Sequence, residues 1–228
     1  MSELWQEKKI NWGKNAQTKL THKKMSNLHK FTKWFMILGY LSTLVTSAVI
    51  SVTSVNDFMT VNMALLAGEQ DFIIIFTSNI NFGGTDSEQY LPLGYNHTSQ
   101  TCHPYSGTVY GNGITLSNIK LDMTLSEPQT GENFWLGGAG LFCGLENATI
   151  ANIVFDTSCS FEGTVAGALS GHVGGNVSVT SVQSGANVTA TQMAGGLFGI
   201  FQPTIPQLPA PVVHNVVVTG NIITTTGE

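Results

Sequence analysis

Four stretches of this chain repeat one short pattern: an apolar residue or Thr, two variable residues, an Asn, and then a strand-like triplet that begins with Ile or Val. The four stretches are Thr115–Leu121, Thr149–Phe155, Val173–Val179 and Val212–Val218. In each triplet the first and third residues lie on one face of a strand. Self-similar strands at intervals of a few tens of residues are typical of solenoids. The unequal spacing of the copies is expected if loops carry insertions of different lengths. The pattern therefore predicts an all-β solenoid of stacked coils.

The Asn of each copy has two possible roles. If the copies are aligned, Asn amides on neighbouring coils lie about 4.8 Å apart and can form a hydrogen-bonded ladder. Alternatively, each Asn is only a bend residue, because Asn tolerates left-handed backbone. We favour the ladder, because the β-branched residue after the Asn recurs too. The predicted stack consists of Asn118, Asn152, Asn176 and Asn215.

The charge of the chain is divided between two unlike parts. Eight of the nine Lys and two of the fourteen acidic residues lie in residues 1–33, which gives this basic tail a net charge of +6. Residues 34–228 hold only Lys120 against twelve acidic residues, a net charge of −11. An acidic body argues against nucleic acid as a partner, because phosphate binding needs a basic face.

An uncharged segment of 23 residues separates Lys33 from Asp57, and its apolar core runs from Phe35 to Ile50. About 20 apolar residues suffice to cross a bilayer as a helix. Residues 34–55 are therefore predicted to form one hydrophobic membrane or signal helix, with the basic tail on the cytoplasmic side. The body is predicted to enter the secretory pathway and to be extracellular or at the cell surface.

Whether this helix is retained stays open. An uncleaved anchor would make the membrane a partner of the chain through residues 34–55. A signal peptide is the alternative, because small residues gather toward Val52-Thr53-Ser54 and suit cleavage. A start at Met25 would leave a short basic region before the apolar core.

Export would permit disulfides and N-linked glycans. The three cysteines, Cys102, Cys143 and Cys159, allow one disulfide with one Cys left over. We expect no disulfide framework, because stacking can hold a solenoid together. Candidate glycosylation sites are Asn96, Asn147, Asn176 and Asn187. Asn96 is the best acceptor because it lies in a polar loop, and Asn176 the poorest because a stacked Asn has no room for a glycan.

The segment between the membrane helix and the repeats predicts a cap. Residues 57–68 read as a short helix with Asp57 as N-cap, Gly68 at C′, and Phe58, Val61 and Leu65 on one face. Such a helix would cover the exposed end of a solenoid. Strands are predicted at 72–76 and 79–82, and residues 57–228 are assigned to the repeat domain. This domain is expected to be the start of a longer array, or else to be covered at its C-terminal end by another chain.

The motifs between these strands resemble a known repeat family. The order GTVYGNGITLSNIKL, GLFCGLENATIANIVF, VAGALSGHVGGNVSVTS, AGGLFG is similar to the GLUG-type repeats of bacterial and protist surface proteins and adhesins, over about residues 72–228. The resemblance implies a right-handed parallel β-helix displayed outside the cell, and it implies no catalytic residues.

The alignment of the copies yields one candidate catalytic pair. Asp122 and Asp156 each follow a repeat Asn by four residues, so aligned coils would place them about 5 Å apart, as in retaining glycosidases. A Ca²⁺ site at this pair would lack the six or more oxygen ligands that the ion prefers, and the pair could equally be two solvated strand ends.

His97, Cys102 and His103 are too irregularly spaced for a Zn²⁺ site. No cofactor or metal is predicted.

The function predicted from the sequence is that of an extracellular structural or adhesive β-helix, and a subunit of a fibre or assembly is one form that this function could take. Ligands, carbohydrate or protein, are expected at the loops 85–106 and 202–211. Self-association is expected through an open C-terminal coil. The alternative is a carbohydrate-active β-helix enzyme that uses Asp122 and Asp156.

Overall fold

The structure, a computed structural model, describes residues 47–83, 92–124, 138–201 and 210–225. Within these residues the chain forms one helix, α1 (Val55–Leu66), and a series of strands. The strands of the first half are β1 (Val49–Val52), β2 (Ile73–Phe76), β3 (Ile80–Asn81), β4 (Tyr95–Asn96), β5 (Thr101–Cys102), β6 (Thr108–Ser117), β7 (Lys120–Asp122), β8 (Gly138–Ala139), β9 (Phe142–Glu146) and β10 (Thr149–Phe155). Those of the second half are β11 (Ser160–Gly167), β12 (Ser170–Gly174), β13 (Ser178–Thr180), β14 (Gln183–Ser184), β15 (Asn187–Gly195), β16 (Phe198–Phe201), β17 (Val212–His214), β18 (Val217–Val218) and β19 (Ile222–Thr224).

Most of the strands belong to three parallel sheets. Sheet 1 has the order β1-β2-β6-β10-β13-β17, with β3, β14 and β18 attached beside this path. Sheet 2 has the order β7-β11-β15-β19 with β8 beside β11, and sheet 3 has the order β9-β12-β16. Only the short β4–β5 pair is antiparallel among the described strands. The predicted all-β class is confirmed at this level.

The chain visits the three sheets in a fixed order. β10, β11 and β12 lie in sheets 1, 2 and 3, and the chain then returns to sheet 1 with β13 and β14 before β15 and β16 repeat the sequence. We call one segment of the chain that contributes strands to sheets 1, 2 and 3 in turn, such as β10–β12 or β13–β16, a pass. Strands within each sheet pair with the equivalent strands of the neighbouring passes, so inward-facing residues of successive passes lie level with one another.

The core consists of residues that the strands turn inward. In β10, Ile150, Ile153 and Phe155 are buried, whereas Asn152 is exposed. Side chains of a regular strand alternate between its two faces, so residues three positions apart point in opposite directions. A regular strand would therefore turn either Ile150 or Ile153 outward. The left-handed backbone of Asn152, with φ +58°, bends the strand and lets both residues point inward. This bend explains the Asn–β-branched pattern of the sequence.

The predicted helix is present but begins earlier than expected. Its N-cap is Ser54, and Asp57 lies in the first turn, where its carboxylate accepts the Ser54 N–H at 2.9 Å and the Thr53 N–H at 2.7 Å. Gly68 follows the C-cap with φ +92°, as predicted. The predicted buried face of Phe58, Val61 and Leu65 is confirmed.

The predicted hydrophobic helix over residues 34–55 is wrong where the structure describes it. Val49–Val52 is strand β1, paired in parallel with β2, and α1 begins only at Val55. No helix among the described residues is long and apolar enough to span a bilayer. The rest of the predicted segment, like the basic tail, lies outside the described residues. The β-rich body thus begins at residue 49 rather than 57.

The loop predicted at 85–106 is largely part of the body. Leu93 and Tyr105 form parallel bridges to Phe142 and Leu145 of β9, and both are buried. The Tyr105 ring stacks on Phe142 at 5.0 Å. Residues 92–105 thereby extend sheet 3 beyond β9, and we call them the flanking segment. Most of the 202–211 loop lies outside the described residues.

Candidate functional site

The repeat Asn residues occupy more than one column. The register of β10, β13 and β17 places Asn152, Ser181 and Asn215 level with one another, and a bulge in β6 brings Asn112 to the same level. All four residues have left-handed backbone, with φ between 52° and 58°. Asn215 Nδ2 donates to Ser181 Oγ at 3.0 Å. We call these residues the left-handed column.

The other two repeat Asn residues belong to different bends. Asn118 Nδ2 donates to Asn81 Oδ1 at 2.9 Å, and the Asn176 N–H donates to Asn147 Oδ1 at 2.9 Å. The single predicted stack of Asn118, Asn152, Asn176 and Asn215 is therefore not the register that the sheets adopt. The motif misled because Asn suits more than one kind of bend. Asn118 has left-handed backbone at a bend outside the column, whereas beside Asn176 the positive φ belongs to Gly175.

The predicted carboxylate pair does not form. Asp122 lies opposite Glu162 in the β7–β11 register, not opposite Asp156. Asp122 Oδ1 accepts the Thr124 N–H at 2.9 Å, and Asp156 Oδ1 accepts the Ser158 N–H at 2.9 Å. Hydrogen bonds from the Ser158 hydroxyl and N–H hold the pKa of Asp156 below its ordinary value. Each carboxylate therefore closes its own turn, and the alignment behind the enzyme hypothesis is lost.

The cysteine prediction also needs correction. Cys102 and Cys143 form a disulfide with a Cα–Cα distance of 5.8 Å, and Cys159 is the free, buried cysteine. The bond joins the flanking segment to β9. Among the described residues there is no group of three or more His, Cys, Asp or Glu side chains placed to hold a metal ion. Sequence reasoning missed the disulfide because it treated the whole loop as a surface decoration.

All four glycosylation candidates lie at the surface. Asn147, Asn176 and Asn187 are exposed, and Asn96 is half-buried with its Oδ1 accepting the Thr98 N–H at 3.0 Å. Asn176 is outside the left-handed column, so the reason for doubting it does not hold. Glycosylation at these sites stays a prediction.

The most unusual surface lies at β16–β19, which we call the C-terminal face. Val213 lies level with Val179, and Ile222 lies level with Val188. Val179 and Val188 are fully buried, whereas Val213 is 49% and Ile222 48% exposed. The exposed pair continues the inward-facing columns of the core, but no strand of the described residues lies beyond it.

The strand edges at this face are unprotected as well. β16, β17 and β19 are the last strands of their sheets, so one edge of each offers free backbone N–H and C=O groups within the described residues. Residues 210–225 contain no Asp, Glu, Lys or Arg. Natural edge strands usually carry charges, above all Lys, that discourage pairing with another strand. An apolar, uncharged edge of this kind can accept a further strand.

Comparison with known proteins adds no relative: no family model, no curated protein and no solved structure matches this chain. Its function is therefore inferred from its own residues, and the C-terminal face is the candidate functional site.

Proposed function

We propose that this chain is a right-handed parallel β-helix, a solenoid of the GLUG-repeat kind, that serves as a structural or adhesive element outside the cell. The fixed order of the three parallel sheets supports the solenoid, because each pass would then be one coil. A carbohydrate or protein ligand of its surface stays a prediction. The function proposed in detail is assembly, with a second copy of the chain bound at the C-terminal face.

The disulfide supports the extracellular location. Cys102 and Cys143 are joined in the structure, and disulfides persist mainly in oxidising compartments. The exposed sequons at Asn147, Asn176 and Asn187 are compatible with the same compartment. These features concern the body, so they are independent of any argument from the hydrophobic N-terminal segment.

The observation that carries assembly is the exposure of Val213 and Ile222 in columns that are buried elsewhere. A second copy suits this face for reasons of charge. Residues 34–228 carry a net charge of −11, yet residues 210–225 are uncharged, so two copies meeting here bring no like charges together. Burial of the exposed Val and Ile side chains would drive the contact.

The geometry of such a contact follows from the two ends of the body. The inward-facing side chains at the N-terminal end are covered by α1, so a head-to-tail array would not continue the inward columns from one copy to the next. Two C-terminal faces can instead meet about a two-fold axis, which closes as a dimer. Strands that meet in this way run antiparallel across the axis.

The test is the mass of the exported, purified protein by sedimentation velocity across the micromolar range. We expect a species of twice the mass of the mature chain, and a Val213→Lys/Ile222→Lys variant that is monomeric because a buried Lys is strongly disfavoured. Met59→Lys/Met63→Lys is the matched control, since both Met side chains are 65% exposed on α1. This control should still dimerise.

Two outcomes would overturn assembly through this face. One is a wild-type protein that stays monomeric throughout the concentration range. The other is a dimer that the α1 variant abolishes and the C-terminal variant leaves intact, because the contact would then lie at the opposite end.

A further inference from the structure

We propose that signal peptidase cleaves this chain between Ala48 and Val49, so that the mature protein begins with the first residue of β1. The proposal rests on the extracellular location proposed above. It replaces the two open interpretations of the hydrophobic segment with one processing site, and it moves cleavage away from the small residues at 52–54.

The first argument is that β1 belongs to the folded body. Val49–Val52 pairs with Ile73–Phe76 over four register positions. Val52 is fully buried, and its carbonyl accepts the Thr77 N–H at 3.1 Å. Ile50 packs against the core. A body that lost this strand would expose the edge of β2 and the apolar surface that Val52 covers.

The second argument is the length that remains before β1. Only 15 uncharged residues, 34–48, lie between Lys33 and Val49. A membrane-spanning helix needs roughly 17 to 25 residues. The apolar core of a signal peptide has only about 7 to 15 residues. The part of the hydrophobic segment that precedes Thr46, Trp34–Val45, has twelve residues and would serve as this core. The segment thus has the length of a leader rather than that of an anchor.

The third argument concerns the residues at the bond. Thr46-Ser47-Ala48 directly follows the apolar core and places Ala at the last position and Thr two before it, close to the small-x-small pattern of cleavage sites. Ala48 and Val49 are exposed in the structure. Hydrolysis adds water across this peptide bond, leaving a carboxylate on Ala48 of the leader and an α-amino group on Val49.

Thr53 and Ser54, the small residues of the alternative cleavage site, have another role in the structure. The Thr53 hydroxyl and N–H both donate to Asp57 Oδ2 at 2.7 Å, and the Ser54 N–H donates to the same atom at 2.9 Å. These bonds hold the start of α1, so Thr and Ser are explained here by helix capping. Cleavage after Ser54 would remove both β1 and this cap. Cleavage after Ala48 removes one bond of the described body, from the Ile73 N–H to the Ala48 carbonyl at 2.7 Å, at an exposed edge where water can replace it.

The test is expression of the full chain from Met1 in a bacterial host, followed by fractionation, N-terminal sequencing and intact mass. We expect an exported protein that begins at Val49, with the first 48 residues lost. Ala48→Phe should leave the exported protein uncleaved at this bond, because a bulky residue is not accepted at the cleavage site. Ala67→Phe, the same change at an exposed position beyond α1, is the matched control and should be processed normally.

The outcomes separate this proposal from the proposed location. An exported, disulfide-bonded protein that begins at Val55, or that keeps residues 34–48, would overturn the processing site alone. An intact chain that stays in the cytoplasm with Cys102 and Cys143 reduced would overturn export, and the processing site with it.

Discussion

The two ends of the body are built differently. At the N-terminal end, Phe58 of α1 lies over the first strands, with its ring 5.6 Å from that of Phe76 and 5.0 Å from that of Phe82. Beside it the flanking segment extends sheet 3 and is fastened by the disulfide to Cys143. At the C-terminal end, Val213 and Ile222 stand in line with buried residues but remain half exposed.

The comparison of the two ends shows that a fold of stacked parallel strands has two separate requirements at its ends. Every inward column needs a cover, and every final strand needs either a partner or protection of its edge. The N-terminal end meets the first requirement from its own chain through α1, whose Asn62 Oδ1 also accepts the Gly94 N–H of the flanking segment at 2.8 Å. Its edge strands β1 and β7, the last strands of sheets 1 and 2 at this end, have one partner each among the described strands. The C-terminal face meets neither within the described residues. The predictions below alter one end at a time.

The largest effect is expected from removing the N-terminal cover. Phe58→Ala should lower the free energy of unfolding by about 3 kcal/mol, because it leaves a cavity between α1 and the first strands. Urea unfolding followed by circular dichroism measures this change. Met59→Ala, at the neighbouring exposed position, should change stability by less than about 0.5 kcal/mol. Equal effects of the two substitutions would mean that α1 does not cover the end.

The disulfide should have the next largest effect. Cys102→Ser/Cys143→Ser opens a loop with a sequence separation of 41 residues, and loss of such a native cross-link costs roughly 2 to 4 kcal/mol. Hydrogen exchange should become faster at the amides of Leu93 and Tyr105, which donate to the Leu141 and Gly144 carbonyls. It should stay unchanged at the Val212 amide, which donates to the Val177 carbonyl at the other end.

Reductant supplies the control for this variant. It should destabilise the wild-type protein and leave the double variant unaffected, because the remaining cysteine, Cys159, is buried and unpaired. A double variant that is as stable as the wild type would show that the flanking segment holds without its cross-link.

The left-handed column allows Asn→Ala to be compared at two places, near the middle of the body and at the C-terminal face. Asn152→Ala should cost about 1 to 2 kcal/mol, because Ala at φ +58° adopts a backbone that side chains with Cβ disfavour. Asn215→Ala, at φ +52°, should cost less in global unfolding, because terminal strands open locally before the rest. The two costs, measured by urea unfolding, would be equal if the C-terminal face were as firmly held as the interior.

Much of the fold follows from local sequence rules. The capping pattern before Phe58 and the spacing of Phe58, Val61 and Leu65 predict α1, although the observed N-cap, Ser54, lies three residues before the predicted one. The Asn–β-branched pattern predicts strands and their inward residues. Two buried residues separated by an odd number of positions would point to opposite faces of a regular strand, and a left-handed residue such as Asn between them lets both point inward.

The register could not be predicted in the same way. Asn118 and Asn152 look alike in sequence, yet they occupy different bends, because β6 has a bulge at Asn112 that lengthens it relative to β10. That shift also separates Asp122 from Asp156. The disulfide was hidden for a related reason. Cys102 reaches Cys143 only because the flanking segment joins sheet 3 through bridges that no local pattern encodes.

The smallest effect is expected at the C-terminal face of the dilute protein. Val213→Ala should change the stability of the monomer by less than about 0.5 kcal/mol, because the side chain is 49% exposed. Val179→Ala, one pass earlier in the same column, is the matched comparison and should cost more because that side chain is fully buried.

Protein concentration then distinguishes a free face from one that a second copy covers. Dimerisation stabilises the folded state by mass action, so the cost of Val213→Ala should grow as the concentration rises. The cost of Val179→Ala should stay nearly constant, since its surroundings belong to one chain. Urea unfolding at several concentrations measures both. A cost of Val213→Ala that does not vary with concentration would mean that the contact between copies, if any forms, leaves this residue in water.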